Sequence, residues 1–147
     1  MARLLALEQC LQVTEGILFD TASLFDLFRY EATRGQSLPE LRRIEPPLRY
    51  TSVVNVFEFM CGDLPPREIR DRRDWLDSNG FKRVRVNDAV STTFQSLVGV
   101  QRPCGWLVDL LTAATAKARH FALASSDTDF EHIDDGLLWV AEFSRQP

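Results

Sequence analysis

The sequence predicts an α/β fold, a mostly parallel sheet with helices packed on both faces. Three observations predict it. Short apolar runs of strand length alternate along the chain with stretches whose apolar residues recur at helical spacing. Some of these runs end on an acid or a hydroxyl that can cap the helix after it. Finally, 147 residues with 45% apolar and 26% charged side chains can bury one continuous core without metal or disulfide staples.

The elements follow in order. Residues 1–15 read as an N-terminal extension, an arm or short helix, ahead of one domain over 16–147. Ile17-Leu18-Phe19 is a buried strand ending on Asp20. Thr21 to Arg34 places Leu24, Phe25, Leu27 and Phe28 at helical spacing, and Gly35 follows as a C-cap. Residues 36–47 hold three prolines and form a connection with room for one short helix. Arg49 to Ser52 is a short strand. Ser52 caps a helix from Val53 to about Cys61, stopped by Gly62 and Pro65-Pro66. Pro66 suits the first turn of a charged helix that ends near Asn79-Gly80. Phe81 to Val86 alternates as a strand, and Asn87 or Asp88 caps a helix through Val100. Trp106 to Arg119 is an Ala- and Leu-rich helix. Phe121 to Ala124 is a strand, Asp129 to Ile133 a helical turn, and Leu137 to Val140 a last strand.

Charge is unevenly spread. The net charge is −4, which excludes a globally basic nucleic-acid binder. Residues 29–85 nevertheless hold 12 of the 17 Lys and Arg against 9 of the 21 Asp and Glu, and the rest of the chain is strongly acidic. Three widely spaced cysteines without a CxxC pair argue against a disulfide framework and against zinc, and fit a reduced cytoplasmic compartment. No apolar run approaches the roughly 18 residues of a membrane span, and the N-terminus lacks a signal peptide's apolar core.

The carboxylates carry the chemistry. Asp20 and Asp127 end apolar strands, while Glu58 and Asp109 lie inside otherwise apolar helices. Ligands of parallel sheets bind beyond the carboxyl ends of strands, which singles out an acid at a strand end. No Lys or Arg lies within a helical turn of Glu58 or Asp109. Clustered acids repel unless a divalent cation neutralises them, and hard oxygen ligands select Mg²⁺ or Mn²⁺. Each acid also has a plainer reading. Asp20 and Asp127 can be helix N-caps, and Asp109 can face solvent opposite an apolar stripe of Trp106, Leu107, Leu110, Leu111 and Ala114.

Four stretches together resemble the PIN-domain ribonucleases, and among them the VapC-like toxins of type II toxin–antitoxin pairs. They are Ile17-Leu18-Phe19-Asp20-Thr21, Ser52 through Gly62 with Glu58, Asp109 through Ala116, and Leu123 through Phe130 with Asp127. Leu137-Leu138-Trp139-Val140 is similar to the family's last strand, so the match runs in order over nearly the whole chain. The chain departs from the family at Ala22, where Asn is common, and in the length of residues 1–15.

The resemblance implies a PIN-like three-layer α/β/α sandwich. It implies an endoribonuclease in which Asp20, Glu58, Asp109 and Asp127 hold one or two Mg²⁺ or Mn²⁺ ions and leave a 5′-phosphate and a 3′-hydroxyl. It further implies a homodimer and a cognate antitoxin whose tail crosses the acidic cleft. A guanidinium or ammonium of that tail would enter among the acids, with apolar flanks along Leu24–Phe28. That helix has more apolar surface than one packed face uses. Thr21 and Ser125 are candidate donors to the acids, or simply caps. Asp129 is a candidate outer ligand, or a turn cap. Arg83 and Arg85 are the preferred RNA contacts, since Glu68, Asp71, Asp74 and Asp77 interleave with the arginines of the preceding helix and predict a solvated face of ion pairs. His120 reads as a helix C-terminal residue without a catalytic role. Two other readings compete: a PIN fold kept as a protein-interaction module without nuclease activity, and a phosphatase using Asp20 as nucleophile. The second lacks the further Asp expected where Ala22 stands.

Overall fold

The computed structural model describes residues 3–98, 107–125, 130 and 137–140. Six parallel strands form one sheet: β1 (Arg3–Leu4), β2 (Ile17–Phe19), β3 (Arg49–Ser52), β4 (Lys82–Val84), β5 (Ala122–Ala124) and β6 (Leu138–Val140). Their spatial order is β1-β6-β5-β2-β3-β4. The helices are α1 (Leu7–Val13), α2 (Thr21–Arg34), α3 (Pro39–Arg42), α4 (Val53–Met60), α5 (Pro66–Ser78), α6 (Asp88–Val98) and α7 (Leu107–Ala118), with a 3₁₀ turn at Pro46–Leu48.

The strand period of two divides the core between the two faces of the sheet. Ile17 and Phe19 of β2 and Ala122 and Ala124 of β5 pack with Leu7, Leu24, Leu27, Phe59 and Trp75, from α1, α2, α4 and α5. Leu18 and Leu123 point the other way, into a second cluster with Val90, Leu97, Ala113, Ala114 and Phe130. The result is the predicted α/β/α sandwich. Small side chains let α7 lie close to the sheet, since Thr112 through Ala116 are its buried residues. The apolar stripe expected on α7 is therefore displaced. Leu107 is exposed, and Trp106 lies outside the described residues.

The N-terminal residues add a strand to the sheet as well as a helix. Arg3 and Leu4 pair with Leu138 and Trp139 of β6, and Leu7 and Cys10 are buried in the core. β4 is shorter than the alternating pattern predicts, stopping at Val84. The helical turn predicted at Asp129–Ile133 falls outside the described residues, apart from the buried Phe130. Among the described residues no helix is long and apolar enough to cross a membrane.

The chain runs from β2 outward to β3 and β4, then returns to the other side of β2 for β5 and β6. The switch in direction therefore falls between β2 and β5. The crevice beyond their carboxyl ends is where such sheets bind ligands.

Candidate functional site

Asp20 follows β2 directly and is the N-cap of α2. Its Oδ1 accepts from the Ser23 amide at 2.9 Å, satisfying one of the unpaired donors at a helix start. Its Oδ2 accepts from the Ser125 hydroxyl at 2.5 Å, across the β2–β5 switch. Two further bonds close the same seam. The Asp20 amide donates to the Ala124 carbonyl at 3.3 Å, and Ser23 Oγ donates to the same carbonyl at 2.8 Å. The carboxylate is 6% exposed and held from two elements at once. The capping reading and the site reading of Asp20 thus describe one side chain.

Glu58 is exposed on α4, and its Oε1 accepts from Thr21 Oγ1 at 2.5 Å. Asp109 lies half-buried in the first turn of α7. Asp20, Glu58 and Asp109 line one pocket of about 280 Å³ together with Thr21, Ala22, Phe25 and Asn55. Three helices meet there, α2, α4 and α7, and no Lys or Arg is among these lining residues. Asp127 and Asp129 lie outside the described residues. Among the described residues no three His, Cys, Asp or Glu side chains gather tightly enough to hold a metal ion alone. The donor chemistry still suits a hard cation. The three acids of the pocket present carboxylate oxygens, and the remaining polar lining groups are a hydroxyl and an amide.

Asn55 is the residue that sequence reasoning missed. It is 1% exposed, and its side chain joins all three helices. Its Oδ1 accepts from Ser52 Oγ at 2.6 Å. Its Nδ2 donates to Thr21 Oγ1 at 3.0 Å and to Thr112 Oγ1 at 3.1 Å. The available signal was an amide inside an otherwise apolar helix, one turn before Glu58, since a buried polar group needs partners.

The other candidates are placed as follows. Arg83 pairs with Asp77 at 3.0 Å, which engages its charge within the fold. Arg85 is exposed just beyond β4, at the carboxyl end of the sheet, and forms no ion pair among the described residues. Arg72 departs from the solvated face expected of α5. It is buried, it stacks within 5.0–5.8 Å of the ring centres of Phe25, Phe28 and Phe59, and it donates to the Phe59 carbonyl and to Glu68. His120 takes a left-handed conformation after α7, at the amino end of β5 and so at the edge of the sheet opposite the acids.

The apolar surplus expected on α2 is largely taken up inside the fold. Leu24 and Leu27 are core residues. Phe25 and Phe28 are half-buried, with ring centres 5.2 and 5.7 Å from that of Phe59, and Phe28 lies 5.5 Å from Trp75.

A parallel α/β/α sandwich with acids at its switch point defines a class, and residues 17–136 match the PIN domain family, to which the chain belongs. Three of the solved structures that share the fold illustrate it. They are VapBC2 from Rickettsia felis bound to a DNA fragment from its promoter (TM-score 0.68, 15% identity, 84% of this chain and 96% of that one), FitAcB from Neisseria gonorrhoeae (0.63, 20%, 88% and 99%) and a toxin–antitoxin complex from Klebsiella pneumoniae (0.62, 23%, 87% and 98%). No curated protein matches the chain.

Proposed function

We propose that the chain is a metal-dependent endoribonuclease, the toxin of a cytoplasmic toxin–antitoxin pair, dimeric and silenced by a cognate antitoxin. The observation that carries this reading is the convergence of Asp20, Glu58 and Asp109 on one pocket at the β2–β5 switch, with no basic residue among the lining side chains. Carboxylates that share a cleft favour a hard divalent cation among them. Membership of the PIN family and the likeness to structures of toxin–antitoxin complexes support the rest.

Asp20, Glu58 and Asp109, joined by Asp127, would hold one or two Mg²⁺ or Mn²⁺ ions. Such an ion, when bound, activates water and stabilises charge on a phosphodiester during its cleavage. The protein's own contribution is orientation. Ser125 and the Ser23 amide fix the Asp20 carboxylate. Thr21 fixes Glu58. Arg85 is the better placed of the two RNA-contact candidates, because Arg83 is spent on Asp77. Asp129 stays a candidate outer ligand.

The test is cleavage of a structured RNA by the purified chain, freed of any partner, in Mn²⁺ and Mg²⁺ and with a chelator. Cleavage that needs the metal and leaves 5′-phosphate ends is the expected result. Equal cleavage in the chelator, or none in either metal, contradicts it. Addition of the cognate antitoxin, to be sought among small proteins encoded next to this chain, should form a complex and abolish cleavage. A complex that still cleaves at full rate would sink the inhibition.

A further inference from the structure

We infer that Asn55 is a positioning residue for the acidic site. It directs the Thr21 hydroxyl proton onto Glu58 and sets the phase of α7 that brings Asp109 into the same pocket. The inference rests on the metal-site reading above and adds to it a residue outside the acid set.

Ser52 Oγ accepts from the Asn55 backbone amide at 3.0 Å, as a helix N-cap does, which leaves its own proton for Asn55 Oδ1 at 2.6 Å. That bond fixes the side-chain amide with its oxygen toward Ser52 and its NH₂ group toward Thr21 and Thr112. Thr112 Oγ1 lies 2.7 Å from the Val108 carbonyl one turn earlier and 3.4 Å from Asn55 Oδ1, so its proton goes to the nearer carbonyl and it meets the Asn55 NH₂ group as an acceptor. Thr21 meets Asn55 as an acceptor too, and its proton goes to Glu58 Oε1.

Two consequences follow for the acids. Glu58 is exposed, and an exposed glutamate samples many rotamers that a bound cation would have to freeze. A hydroxyl aimed at Oε1 selects among them beforehand and leaves Oε2 for a cation. Thr112 lies three residues after Asp109, on the same side of α7, so anchoring Thr112 to α4 fixes the turn of helix that presents Asp109. Asn55 itself needs no contact with the metal or the RNA, so its role is orientation of the groups that make those contacts.

The experiment measures Mn²⁺ binding to the full chain by calorimetry or by electron paramagnetic resonance, with a melting curve for each variant. Asn55→Leu keeps the size of the side chain and removes the amide. Thr21→Val keeps the shape and removes the hydroxyl, whereas Thr21→Ser keeps the hydroxyl. The expected result is about a tenfold or greater loss of Mn²⁺ affinity in Asn55→Leu and Thr21→Val, and near-native affinity in Thr21→Ser. In the Thr21→Val background, Asn55→Leu should cost less than it does alone, because the bond to Thr21 is already without effect and only the bond to Thr112 remains to be lost. A merely structural role would lower the melting temperature without this pattern. Where Asn55→Leu does not fold, the Val and Ser pair at Thr21 decides. Wild-type affinity in folded Asn55→Leu or Thr21→Val overturns the inference while leaving the metal site standing. A wild-type chain that binds no Mn²⁺ overturns the metal reading, and this inference with it.

Discussion

Asp20 does two jobs with one carboxylate, and they separate by substitution. Asparagine caps a helix about as well as aspartate, and alanine does not. Asp20→Asn should therefore melt close to the wild type, while Asp20→Ala should lose about 1 kcal/mol of stability. Both should lose metal-dependent cleavage by orders of magnitude. Equal stability of the two variants in thermal melts would show that the cap bond to Ser23 contributes little. Asp26→Asn, outside the pocket lining, should leave cleavage near wild type. At this scale the sequence spoke through residue type and surroundings. Asp20 stood out because an acid closed an apolar strand, and Glu58 because an acid interrupted an apolar helix. Asn55 stayed hidden because its importance lies in three hydrogen bonds to partners 3, 34 and 57 residues away. Only the fold brings those partners together.

The elements carry cations inside the fold that the sequence presents as surface charge. Arg49, the first residue of β3, is 8% exposed and donates to three main-chain carbonyls: Ile44 and Asn79 at 2.9 Å and Leu41 at 3.0 Å. It ties the ends of α3 and α5 to the sheet. Burial lowers the guanidinium pKa below its ordinary value, because removal from water disfavours the charged form. Arg49→Met should take a donor from three carbonyls, of which only Leu41 keeps a main-chain bond among the described residues, from the Ile44 amide, and cost about 3 kcal/mol or more in urea unfolding. Arg49→Lys should recover less than half of that, because an ammonium lacks the planar fork that reaches three acceptors. A loss below 1 kcal/mol for Arg49→Met would contradict this account. The order of helices and strands was legible because apolar spacing and Gly and Pro punctuation agree. The Gly35 cap of α2, at φ 73°, is one such stop. Arg72 was not legible, since its neighbours on α5 are charged. Its place is set by aromatic rings that α2 and α4 bring to it.

Across the whole molecule, parallel topology brings Asp20, Glu58 and Asp109, from three separate stretches of sequence, to one pocket. The sheet reverses direction between β2 and β5, and the acids gather where it does. That rule was readable from the alternation of strands and helices, although which strands are neighbours was not. The N-terminal strand was also missed, because two residues carry no period. Residues 3–13 precede the PIN match, yet they add β1 to the sheet and bury Leu7 and Cys10. Deleting residues 1–13 should cost roughly 3 kcal/mol from lost apolar burial, and an unchanged melting curve would show the segment to be dispensable. The central claim is that acids from separate elements act as one metal-dependent cleavage site, and Asp109 tests it most directly because it comes from the other side of the sheet. Cleavage of one RNA by wild type and Asp109→Asn should be measured in Mg²⁺, at matched concentration and with melting curves for both. The account predicts a folded variant whose cleavage falls by orders of magnitude. A folded Asp109→Asn that cuts at the wild-type rate would contradict it.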